Sequence, residues 1–100
     1  MPKSDSGRPV VAPDGSIYAI AEGTRIRSPE TFAGKGAKTP LHDGVAERYS
    51  SRYGGAEKDW QHRKGFATID ANGELVEAEV HWFQNSVSGK HRIKIKRWLE

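Results

Sequence analysis

Residues 60–98 read WQHRKGFATIDANGELVEAEVHWFQNSVSGKHRIKIKRW, and how this stretch pairs with itself decides the fold. At its centre stands Asn72-Gly73, the pair best suited to the two positive-φ positions of a type I′ turn. With that turn in place, Ala71 faces Glu74, Ile69 faces Val76, Ala67 faces Ala78, Gly65 faces Val80 and Arg63 faces Trp82. Side chains alternate along a strand, so these residues share one face, joined by Ile93 and Ile95 from a third run that starts at Lys90. The other face holds Thr68 with Glu77, Phe66 with Glu79, Lys64 with His81, and His62 with Phe83. Strict alternation adds Arg92, Lys94, Lys96 and Trp98 to it. A slip of one residue would exchange the two faces.

The aliphatic face needs a cover, and residues 39–53 are the expected one. Thr39 can cap a helix and Pro40 suits its first position. Leu41, Val45, Tyr49 and Tyr53 recur every four residues on one side, and Gly54-Gly55 ends the helix. Gly44 inside it costs ~1 kcal/mol relative to Ala. Ser28-Pro29-Glu30 reads as the start of a shorter helix of about one turn, stopped by Gly34. Gly34-Lys35-Gly36 reads as a basic loop without the spacing of a nucleotide-binding loop.

Further upstream, Val10-Val11-Ala12 and residues 16–20 form a small hairpin around Pro13-Asp14-Gly15. Residues 24–27 read equally as an edge strand or a loop. Residues 84–89 are polar, with the composition of a mobile connection. Residues 1–9 read as a disordered tail, and 10–100 as a single domain. The expected class is therefore α+β: an antiparallel sheet of about four strands with helices packed on one face.

Composition narrows the function classes. Of 100 residues 35% are apolar and 11 are Gly, enough for one small core. No cysteine is present, so disulfides and thiolate metal sites are excluded. No apolar run approaches the ~18 residues of a spanning helix, and residues 1–9 lack the apolar core of a signal peptide. A cytoplasmic protein is expected, with export by a non-standard route or as part of a larger particle left open. The net charge of +3 is mild, but residues 90–99 hold Lys90, Arg92, Lys94, Lys96 and Arg97 and no acid.

On the polar face, cross-strand charge pairs alone would account for Glu77, Glu79, Lys94 and Lys96. Phe66, Phe83 and Trp98 on the same face, with two histidines, ask for more. Metal-independent RNA cleavage needs a base for the 2′-hydroxyl, an acid for the leaving oxygen and cations for the phosphate. His81, His62 and Glu79 are the candidate proton carriers. Lys64, Arg92 and Lys94 are the candidate phosphate clamps, with Lys96 and Lys90 beside them. Phe83, Trp98 and Trp60 are candidates for stacking an unpaired base. Two His and a Glu could instead bind zinc, but Lys64 lies between them and no register supplies a third ligand, so neither metal nor cofactor is expected. His42 and His91 read as structural or surface residues, His91 on the aliphatic face.

The segments Ala33-Gly34-Lys35-Gly36, Thr39-Pro40-Leu41, Tyr53-Gly54-Gly55, Trp60-Gln61-His62-Arg63-Lys64-Gly65, Ala78-Glu79-Val80-His81-Trp82-Phe83 and Ile93-Lys94-Ile95-Lys96-Arg97 together resemble a prophage-associated, toxin-like nuclease domain. The resemblance is to the barnase–EndoU–colicin–RelE superfamily, as found on polymorphic toxins and phage head proteins. It implies a small α+β ribonuclease fold, metal-independent endoribonuclease activity on RNA, and an antitoxin or immunity protein as partner. His62, Lys64, His81 and Lys94 are the positions that carry over, with Glu79 and Arg92 behind them. The alternative is a non-catalytic phage or mobile-element module that binds nucleic acid or protein through the same aromatic and basic face. Oligomeric state is left open.

Overall fold

The computed structural model describes residues 5–42 and 44–99. Its elements in chain order are β1 (Pro9–Val11), β2 (Ile17–Ile20), β3 (Arg27–Gly34), α1 (Val45–Tyr53), a one-turn 3₁₀ helix (Glu57–Asp59), β4 (Gln61–Ala71), β5 (Glu74–Asn85) and β6 (Gly89–Trp98). The hairpin of β4 and β5 has the register expected of its turn, from Ala71 opposite Glu74 to His62 opposite Phe83. Asn72 at φ 57 and Gly73 at φ 94 occupy the two left-handed positions.

The architecture differs from the expected α+β arrangement. The strands form one sheet in the order β2-β1-β6-β5-β4-β3, and β2 also pairs with β4 through Ala19–Asp70 and Ile20–Ile69. That second pairing closes β2, β1, β6, β5 and β4 into a five-stranded barrel. One edge of β4 is shared, its first half by β3 and its far end by β2. The aliphatic face of the hairpin therefore turns inward. Val10, Ile20, Ile26, Ala67, Ile69, Ala78, Val80, Trp82, Ile93 and Ile95 form a single buried cluster. The β1–β2 hairpin, not a helix, covers that face, because alternation delivers Val10 and Ile20 to it in the extended geometry that continues the sheet.

Other departures have local causes. Ser28-Pro29-Glu30 lies within β3, not in a helix: Ser28 sits at φ 52 and the pairing with β4 is irregular between Arg27 and Glu30. A proline is tolerated there because β3 is the sheet's free edge and one side of it needs no donor. The longer helix starts at Val45, since Gly44 at φ 78 occupies its N-cap position, while the backbone carbonyl of Thr39 accepts a bond from Gly34 N. The connection after β5 is a tight turn built on buried Asn85, whose Oδ1 accepts from Val87 N and Ser88 N.

Residues 1–4 of the expected disordered tail lie outside the described residues, but Asp5 is buried and tied in. Its carboxylate accepts from Ile26 N at 2.9 Å and from Lys90 Nζ at 3.0 Å. No helix among the described residues is long and apolar enough to cross a membrane.

At the seam between β3 and β4, Gly65 has no room for a side chain. A Cβ there would stand 2.7 Å from Ile26 Cγ2 and 2.8 Å from the Arg27 carbonyl. Gly65→Ala is expected to destabilise the fold by about 1–3 kcal/mol through overpacking, read as a lower urea midpoint with an unchanged slope.

Candidate functional site

Two bulges in β6 decide which side chains reach the barrel's outer surface. Val80 pairs with Ile95 and His81 with Lys94, but Phe83 pairs with His91, and Glu79 and Ala78 pair with Arg97 and Trp98. The register shifts once near Arg92, which sits at φ 55, and once near Lys96. Each shift inverts the alternation beyond it. His91 therefore lies on the outer face with Phe83, not among the aliphatic residues. Trp98 turns to the inner side, packs on the core and meets Tyr18 at 5.9 Å. It does not belong to the outer surface, and Arg97 takes that place beside Glu79.

Part of the outer face is covered by the protein's own helix. Tyr49 of α1 lies 5.0 Å from the Phe83 ring and 5.6 Å from Trp60. Tyr53 stacks on His91 at 3.9 Å, nearly parallel. This is a second, aromatic core outside the barrel, with Trp60 1% exposed. Phe83 and Trp60 are thus packing residues. His62 stacks on Phe83 at 4.0 Å and meets Phe32 at 4.2 Å. Its Nε2 is buried without a partner. Loss of solvation, with His81, Lys94 and His42 nearby, lowers its pKa from 6.5 to about 4. Burial penalises the cation, and the neighbouring positive charges repel it.

The uncovered part gathers the remaining expected residues. His81 stands between Lys64 on β4 and Lys94 on β6. Its Nε2 lies 2.8 Å from Glu79 Oε2, while Glu79 Oε1 accepts from Arg97 Nε at 2.9 Å. These bonds, the one to His81 first, hold the Glu79 carboxyl below its ordinary value. The His62 and His81 rings are 5.9 Å apart. Both face a depression of about 380 Å³ whose wall is Val11, Ala12 and Pro13 and whose rim carries Lys94 and Lys96. Lys64 lines a separate, smaller hollow with Phe66, Glu79 and Arg97.

Lys90 is engaged structurally, its Nζ on Asp5 and its carbonyl accepting from Arg8. Arg92 is exposed and lies 5.0 Å over the Tyr49 ring. No set of three His, Cys, Asp or Glu suited to a metal ion occurs among the described residues. Arg97, noted only as part of the basic run, and the arginines of α1 are not assigned to this surface by the sequence. The first was hidden by the bulges, and the others by a helix expected on the opposite face.

Searches of this chain against protein-family models, curated proteins and solved structures return no match.

A histidine whose folded pKa is depressed stabilises the fold fully above its ordinary value, and that stability is lost as pH falls toward the folded value. For His62 the window runs from 6.5 down to about 4. His91, also lowered by burial, adds in the same direction. Glu79 loses its contribution only below 4.5. Acidification through the upper part of this window is expected to cost about 1–2 kcal/mol, after discounting for the ring's remaining solvent contact. In His62→Phe, chemical denaturation at stepped pH should show a shallower decline.

Proposed function

We propose that this barrel binds single-stranded nucleic acid, with RNA the first candidate, along β6. The supporting observation is a row of exposed cations, Arg92, Lys94 and Lys96, without an ion-pair partner among the described residues. By contrast, four other cations, Arg27, Lys35, Lys90 and Arg97, each meet a carboxylate. A cation left unpaired beside other cations is paired more favourably by phosphate than by water, because binding releases condensed counterions.

The depression beside Lys94 and Lys96 suits one nucleotide. Its wall of Val11, Ala12 and Pro13 offers apolar contact to a base, and the imidazole of His81 faces the same space. Stacking and backbone charge together are the usual basis for holding unpaired strands.

Cleavage is the second reading, favoured by the Glu79 carboxylate that orients His81 next to Lys94. It is weaker because the second proton carrier, His62, has one nitrogen buried among aromatic rings. A phage or toxin origin and an antitoxin partner rest on the segment resemblance alone.

Titration of labelled single-stranded RNA against salt tests the binding reading. Affinity should fall steeply with salt, and Lys94→Ala and Lys96→Ala should each lower the log–log slope by about 0.7. Salt-independent or absent binding by folded protein would refute it. The same RNA incubated with chelator should stay intact. Cleavage that disappears in His81→Ala would move the conclusion to the second reading.

A further inference from the structure

We propose that a depression between α1 and β6 binds the terminal phosphate of a nucleic-acid strand, deepening the binding reading on which it rests. Arg48, Tyr49, Ser51, Arg52 and Arg92 line this depression of about 560 Å³. Three guanidinium groups meet there with no carboxylate in the lining. None of the three has an ion pair among the described residues.

Two of the three guanidinium groups rest over aromatic rings. Arg92 lies over the Tyr49 ring at 5.0 Å and Arg52 over the Tyr53 ring at 5.8 Å. A cation–π contact satisfies no N–H group with an oxygen acceptor, so the donors stay available for bidentate bonds to phosphate oxygens. Backbone geometry contributes as well. Arg92 occupies a left-handed position at φ 55, unusual for a side chain of its size, and that bulge falls where β6 passes the helix. Bulges of this kind re-aim a side chain and concentrate at functional sites. Arg48 and Arg52, one turn apart on α1, present like charges on the same side of the helix. That arrangement is unfavourable until an anion sits between them.

A terminal phosphate fits this set better than a backbone phosphodiester. The diester carries one negative charge. A phosphomonoester carries about −1.5 to −2 at neutral pH and three terminal oxygens for the N–H forks. Lys94 and Lys96 continue along β6 from Arg92 and give the rest of the strand its path over the barrel.

The test uses the full chain and a short single-stranded RNA in three forms, with a 5′-phosphate, with a 3′-phosphate, and with hydroxyls at both ends. Fluorescence anisotropy at constant salt should show one phosphorylated form binding about tenfold more tightly than the hydroxyl form. Arg92→Ala and Arg48→Ala should erase that preference while thermal melting stays close to wild type. Lys94→Ala should weaken all three forms alike. Equal affinity for the three forms overturns the proposal, as does a preference that survives both arginine substitutions. A nucleoside monophosphate competing as well as the phosphorylated RNA would reassign the site to free nucleotides. Failure of every RNA to bind at low salt would remove the binding reading itself, whereas steep but end-independent binding would remove only this site.

Discussion

The short pairing of β2 with β4 shapes everything else in this protein. Two residue pairs, Ala19 with Asp70 and Ile20 with Ile69, join the ends of what would otherwise be an open sheet. Closure takes the aliphatic faces of five strands out of water together, and burial of that apolar area is the main favourable term. It also removes two edges that would otherwise invite pairing with other chains. The interior suits the closure. Ala67 and Ala78 oppose each other at full burial, leaving space that Trp82 and the larger aliphatic residues fill.

Closure also displaces the helix. With the aliphatic side sealed by strands, α1 has only the outer surface left to cover. What it covers there is aromatic: Trp60, Phe83 and His91 beneath Tyr49 and Tyr53. One consequence is chemical. His62 is drawn into this layer and kept neutral, while His81, a neighbouring position on the same surface, keeps a carboxylate partner. Two imidazoles that alternation makes equivalent are given different environments, His62 between Phe32 and Phe83 and His81 against Glu79.

The charge distribution follows the same division. Some cations are neutralised locally, Lys90 by Asp5 and Lys35 by Asp59. Those along the middle of β6 and on α1 are not. An uncompensated row on a rigid sheet, bordered by a depression with an apolar wall, has the properties expected of a backbone-reading surface.

The sequence by itself determined the local features. Asn72-Gly73 admits one tight turn, so the register of β4 on β5 was legible residue by residue, as were the β1–β2 hairpin and the inward places of Ile93 and Ile95. His81 beside Lys64 was legible for the same reason. Only the tertiary structure decided which element seals the aliphatic face, because a tyrosine-rich helix and a valine-rich hairpin both present an apolar side. It also decided the two bulges of β6. No glycine or proline in residues 90–98 marks them, and they arise from bending a long strand around a closed barrel. Those bulges put Trp98 inside and His91 and Arg97 outside, so these three positions could be assigned only from the closed barrel.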